Sequence, residues 1–136
     1  MLDSEGHIRI SDFGLSKILY SSNQKTYSFC GTPEYIAPEV IIGKGYTKAA
    51  DWFSFGSIMY DMLTGRPPFL SNNKHSMLKN LVSKPVPIPY YLSNDAKSLL
   101  TGLFKIKPEE RLGFKNDAAD IKKHPFFANI NFSELE

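Results

Sequence analysis

Thr47-Lys48-Ala49-Ala50-Asp51-Trp52-Phe53-Ser54-Phe55-Gly56-Ser57-Ile58-Met59-Tyr60-Asp61-Met62-Leu63-Thr64-Gly65 is the stretch on which the fold turns. Thr47 offers an N-cap hydroxyl, and Asp51 puts negative charge in the first turn, where the helix dipole favours it. Apolar residues at Trp52, Phe53, Phe55, Ile58, Met59, Met62 and Leu63 go nearly all the way round the helix. Such a helix belongs in the centre of a fold with neighbours on every side. Gly65 stops it, and Pro67-Pro68 prevent continuation.

Downstream, Ala96, Leu99, Leu100, Leu103 and Phe104 follow the i, i+3, i+4, i+7, i+8 rule of an amphipathic helix starting at Ser93. Weaker helical signals cover 74–83 and 118–123. Between the helices, residues 84–91 carry three prolines and read as an extended connection. Upstream, Asp3-Ser4-Glu5-Gly6 reads as a hairpin turn leading into alternating His7-Ile8-Arg9-Ile10. The polar run from Tyr20 to Thr26 reads as a mobile loop. The expected fold class is therefore mainly α: a short N-terminal β-hairpin, a loop, and four or five helices.

Composition sets the outer bounds. The 136 residues suffice for one small domain with a modest core. With 42% hydrophobic and 22% charged residues, the chain has the balance of a folded protein rather than a disordered one. A formal net charge of +2 argues for neither nucleic acid nor a membrane surface as partner. Cys30 is the single cysteine, so no internal disulfide forms, and a packing role suits it. His7, His75 and His124 have no cysteine partners at zinc spacing. No signal-peptide core or membrane span is read, and the default location is cytoplasmic, with the nucleus as a further compartment.

Asp12-Phe13-Gly14 alone is a weak signal, equally readable as an ordinary strand-to-loop turn. It is followed by Gly31-Thr32-Pro33-Glu34-Tyr35-Ile36-Ala37-Pro38-Glu39, by the Asp51-Trp52-Phe53-Ser54-Phe55-Gly56 helix opening, and by Arg111-Leu112-Gly113. Four motifs in this order make the chain resemble the C-lobe of a protein kinase from the metal-binding motif onward, with the N-lobe absent. Ser28-Phe29-Cys30-Gly31-Thr32-Pro33 and His124-Pro125-Phe126-Phe127 resemble the AGC group of serine/threonine kinases. Calcium/calmodulin-dependent kinases are the nearest confusable group.

The resemblance implies a role for each matching residue. Residues 1–19 correspond to the metal-binding strand and loop, 20–39 to the activation segment, and 40–136 to the helical C-lobe. Asp12 is implied as a Mg²⁺ ligand, with Phe13 and Gly14 shaping its turn. Ser28 stands where the activating phosphate is carried, with Ser21, Ser22 and Thr26 as rival hydroxyls, and Lys17 stands where a lysine pairs with that phosphate. Thr32 matches the threonine that steadies the catalytic aspartate. Phe29, Pro33 and Ile36 are implied as a wall beside the substrate. Glu34 and Asp61 are acidic where arginine-bearing substrates are held, although Asp61 reads equally well as a satisfied structural charge. Glu39 and Arg111 match a buried ion pair, and Asp51 is implied to hold loop backbone N–H groups.

The parts a kinase needs for ATP are not among these residues: there is no Gly-x-Gly-x-x-Gly, no strand lysine in its expected setting, and no His-Arg-Asp catalytic loop. The expectation is that those parts lie upstream of Asp12, and that ATP and Mg²⁺ serve the whole domain without binding tightly to this segment. Expected partners are protein substrates, an upstream activating kinase and the kinase N-lobe. The central helix is expected to leave an exposed apolar patch where an earlier helix packs in the family. The competing functional reading is a non-catalytic, kinase-like binding module.

Overall fold

The computed structural model describes residues 1–21 and 24–135. Among them are five α-helices: α1 (Pro38–Ile42), α2 (Ala49–Thr64), α3 (Lys74–Ser83), α4 (Asn94–Leu103) and α5 (Ala118–Lys122). Single 3-10 turns at Phe13–Leu15, Pro33–Tyr35, Pro108–Glu110, Pro125–Phe127 and Phe132–Glu134 punctuate the connections. The mainly helical class expected from the sequence is the one the chain adopts.

The core forms where α2 crosses α4. Phe53, Leu99, Leu100, Leu103 and Met77 are its fully buried large side chains. Gly56 permits the close crossing, because a Cβ there would lie 2.9 Å from the Leu103 Cβ. Phe104 stacks edge-on against Phe53 at 5.2 Å and Tyr60 at 6.1 Å, adding aromatic contacts to the area buried. Asn73 caps α3 by accepting from the Ser76 N–H at 3.0 Å. Ser93 caps α4 by accepting from Ala96 at 3.2 Å, so it stands just outside the helix it was expected to start.

Two local expectations need correction. The cap position of α2 falls at Lys48, and Thr47 Oγ1 contributes only a long 3.4 Å bond from the Ala49 N–H. The N-terminal hairpin makes its cross-strand bonds, Asp3 N–H to His7 O and Arg9 N–H to Met1 O, yet leaves only the isolated bridge Leu2↔Ile8. Two strands without a third have little to hold them flat. The Asp3 carboxylate organises the turn instead, accepting from Glu5 at 3.0 Å and His7 at 2.8 Å. Those bonds, His7 first, hold the Asp3 carboxyl below its ordinary pKa.

Helix α2 leaves the exposed apolar patch that was expected of it, so it is central without being enclosed on every side. Phe53 and Met59 are buried, whereas Ile58 is 48% exposed and Met62 69%. Their i, i+4 spacing puts them on one face, opposite the contact with α4, and no described element covers that face.

The C-terminal third is fastened to the start of α2 through Asp117. This residue has a left-handed φ of 56°, and its carboxylate accepts from Trp52 Nε1 at 2.9 Å and Lys48 Nζ at 2.8 Å. Trp52 in turn lies over Gly113, where a Cβ would meet the indole ring at 2.8 Å and φ is +88°. Gly113→Ala combines backbone strain with overpacking and is expected to cost about 1–3 kcal/mol in urea unfolding. An unchanged midpoint would show that the indole moves aside freely.

Candidate functional site

Arg111 and Glu39 build the platform under the site. Arg111 Nη1 and Nη2 donate to the two Glu39 carboxylate oxygens at 2.7 and 2.9 Å, a bidentate pair. The remaining donors go to Ala49 O at 2.7 Å and to Lys105 O at 3.1 and 3.0 Å. The guanidinium also lies 5.2 Å from the Phe53 ring centroid. Every donor on this buried cation has a partner, which is the condition for a buried charge to be tolerated.

From this platform the chain runs back through Pro38 and Ile36 to the 3-10 turn Pro33–Tyr35. The turn is pinned to α2 twice: Ser54 Oγ donates to Tyr35 O at 2.8 Å, and the Tyr35 hydroxyl donates to Asp61 Oδ2 at 2.8 Å. The bond to Asp61 raises the Tyr35 pKa, since ionising the phenol would set two negative charges face to face. Asp61 is half-buried on α2 and keeps its second oxygen free of protein donors among the described residues. Glu34 is half-buried and makes no ion pair with a described residue. Phe29 is 61% exposed and Pro33 is half-buried beside it in sequence space, but Ile36 is only 5% exposed. Ile36 belongs to the core and at the same time lines the cleft described below.

Lys17 and Ser28, eleven residues apart, are brought together: Lys17 Nζ donates to Ser28 Oγ at 2.6 Å. The Tyr46 hydroxyl donates to the Ser28 carbonyl at 2.8 Å. Of the rival hydroxyls, Ser22 lies outside the described residues. Thr26 Oγ1 is buried without a partner, and the Ser21 side chain makes no described bond. Among the described residues of the segment, Ser28 is the hydroxyl held against a cation.

Asp12 occupies a left-handed conformation, φ 63° and ψ 68°, at the start of the exposed Phe13–Leu15 turn. Phe13 is 66% exposed, so no packing fixes the direction of the carboxylate. No group of three or more His, Cys, Asp or Glu side chains converges among the described residues. Mg²⁺ asks for octahedral oxygen ligation, and one unsupported carboxylate does not supply it.

A cleft of about 750 Å³ opens between the Leu15–Ser21 segment, the Cys30–Ala37 segment and the start of α2. Thr32, Tyr35, Tyr46, Cys30 and Asp51 are on its walls. Thr32 is exposed there with its hydroxyl unbonded among the described residues. Asp51 was expected to hold loop backbone N–H groups, and among the described residues none donates to its carboxylate. Its carboxyl pKa is raised, first by loss of water along the cleft wall and then by the nearby Asp117 charge.

The geometry defines a class: a helical platform locked by a buried ion pair, presenting an acidic, serine-bearing segment along an open cleft. The protein kinase domain family matches residues 1–127, and the chain belongs to that family. Among curated proteins it is 48% identical over 136 residues to Protein kinase 2 of Dictyostelium discoideum, covering 100% of this chain and 28% of that protein. It is 45% identical over 135 residues to serine/threonine-protein kinase YPK1 of Saccharomyces cerevisiae, covering 99% and 20%. To human ribosomal protein S6 kinase alpha-2 it is 46% identical over 136 residues, covering 99% and 19%. The chain thus spans between 19% and 28% of the length of these three relatives. The AGC-type serine/threonine resemblance read in the motifs stands with these matches. No described helix is long and apolar enough to cross a membrane.

Two anchoring residues escaped the sequence reading, Tyr46 and Asp117. Their partners lie 18 to 69 residues away, at spacings no periodicity reports.

The raised Asp51 pKa has a sign that can be tested. Between the ordinary value of 3.8 and its native value, the folded state holds a proton that the unfolded chain releases, so stability falls as pH rises. Asp51 stays exposed by surface area, and partial loss of water along the cleft together with the Asp117 charge opposes the helix dipole that favours its ionised form. Asp51→Asn is expected to be more stable than the parent at pH 7 in urea titrations. That advantage should close as pH falls through the native pKa toward 3.8.

Proposed function

We propose that this chain forms the regulatory and substrate-facing part of an ATP-dependent serine/threonine kinase domain that phosphorylates serine or threonine in proteins. The observation that carries this reading is the Lys17 Nζ–Ser28 Oγ contact of 2.6 Å beside the Thr32–Tyr35 turn. A phosphate on Ser28, added by an upstream kinase, brings nearly two negative charges and three acceptor oxygens to a lysine already in place. The segment would then be tied to the stretch that follows Asp12, an order-forming switch.

Residues 20–39 act in this reading as the activation segment, between the metal-binding stretch 1–19 and the helical body 40–136. Glu34 and the free oxygen of Asp61 favour substrates with arginine N-terminal to the acceptor, and Phe29 with Pro33 meets the other side. Thr32 and Asp51 line the cleft in which a catalytic loop would be seated, with Thr32 steadying its aspartate. That loop and the N-lobe are partners of these residues, whether they come from the same chain or another. The reaction is assigned to the cytoplasm, with the nucleus as a second compartment.

Phosphoryl transfer depends on positioning and charge stabilisation by several parts at once. A single exposed carboxylate at Asp12, with no general base within the 136 residues matched to that task, does not assemble them. Purified chain 1–136 is therefore expected to transfer no phosphate from radiolabelled ATP to an arginine-rich peptide above the level of Asp12→Ala. Mg²⁺-dependent transfer that disappears in Asp12→Ala would overturn this part of the reading. Binding of the same peptide without turnover would favour the non-catalytic module.

A further inference from the structure

Residues 1–31 and 32–135 are joined by few hydrogen bonds, and all of those described converge on one residue, Tyr46. Among the described residues, the hydrogen bonds crossing between these segments are Thr26 N–H to Tyr46 O, Tyr46 N–H to Thr26 O, and Tyr46 hydroxyl to Ser28 O, at 2.9, 2.9 and 2.8 Å. No ion pair crosses between them among the described residues; the pairs of the first segment, Asp3 and Glu5 with His7 and Arg9, are internal to it.

We infer that Tyr46 is a positioning residue, whose hydroxyl holds the Ser28 backbone at the one place from which the Ser28 side chain reaches Lys17. The inference rests on the proposed role of Ser28 and names what sets its geometry. The two backbone bonds fix the height of Thr26 against the body, and any residue at 46 could supply them. The hydroxyl bond cannot be replaced in this way. It acts two residues further on, at the residue that carries the side chain facing Lys17, and so sets the rotation of the segment as well as its height.

The chemistry of the hydroxyl suits a permanent clamp. Burial, and then Cys30 beside it, keep the Tyr46 phenol protonated well past neutral pH, so the donor is always available. A backbone carbonyl is the acceptor, so the bond survives phosphorylation of the Ser28 side chain. The clamp and the switch therefore act on different atoms of the same residue.

The test uses chain 1–136 carrying phosphoserine at position 28, in three forms: otherwise unchanged, Lys17→Met, and Tyr46→Phe. Phosphorus NMR titration reads the second pKa of the phosphate, and circular dichroism follows the fold. Lys17 beside the phosphate favours the dianion, so Lys17→Met is expected to raise that pKa by roughly half a unit, the scale of an exposed ion pair. Tyr46→Phe keeps the ring and both backbone bonds and is expected to raise it by most of the same amount. If Lys17→Met leaves the pKa unmoved, the pairing of Ser28 with Lys17 is wrong. If Lys17→Met moves it and Tyr46→Phe does not, the inference about Tyr46 is overturned, whatever Tyr46→Phe does to thermal stability. Should Tyr46→Phe unfold, 4-fluorophenylalanine at position 46 fills the space of the hydroxyl without donating; it must raise the pKa as Lys17→Met does, and a parent value there overturns the inference.

Discussion

Two opposite charges taken out of water, Glu39 and Arg111, constrain everything else in this chain. A buried guanidinium is tolerated only when its donors are all used, and here they bind a carboxylate and two backbone carbonyls from three separate places. Satisfying those donors fixes α1, the first residue of α2 and the loop after α4 relative to one another. The hydrophobic crossing of α2 and α4 supplies the driving force for folding. The ion pair decides which arrangement of the surrounding segments that force stabilises.

The order imposed by the pair fades with distance along the chain. The Pro33–Tyr35 turn is one step away and is held by two side-chain bonds to α2. Residues 1–31 are two steps away and hang from Tyr46. Segments with few bonds to a body are drawn from the low-stability end of a fold, the end that suits the switch proposed for Ser28. The unsatisfied features point the same way. Ile58 and Met62 are bare on α2, Asp51 has no donor, and Thr32 has no partner, all on the side of the cleft or of α2 facing away from α4. A family whose members are several times longer than this chain has the material to cover them.

Much of the helical body was legible in the sequence because its elements obey local rules. The apolar spacing of Ala96, Leu99, Leu100 and Leu103 is that of a one-sided helix, and all four are buried. Ser93 and Gly65 mark helix ends by chemistry that acts over a few residues. Helix α1 was not read, because five residues begun by a proline give no periodicity. Around α2 the apolar pattern overstated burial, since a pattern records what a helix is suited to contact and not which neighbours arrive.

The candidate site was legible by a different route. Lys17 with Ser28, and Glu39 with Arg111, are pairs that only the motif resemblance suggested, and the geometry brings both together. Tyr46 and Asp117 belong to no motif read in the sequence, and their roles exist only once the chain has folded. The buried pair of Glu39 and Arg111 governs the platform on which both the cleft and the Tyr46 anchor depend. A double-mutant cycle on Glu39→Gln and Arg111→Met, followed by urea unfolding, measures this directly. The prediction is that each single change costs about 3–5 kcal/mol and that the double change costs far less than their sum, because neither leaves the other charge stranded. Single costs below about 1 kcal/mol that simply add would place the pair among ordinary surface contacts and contradict the account.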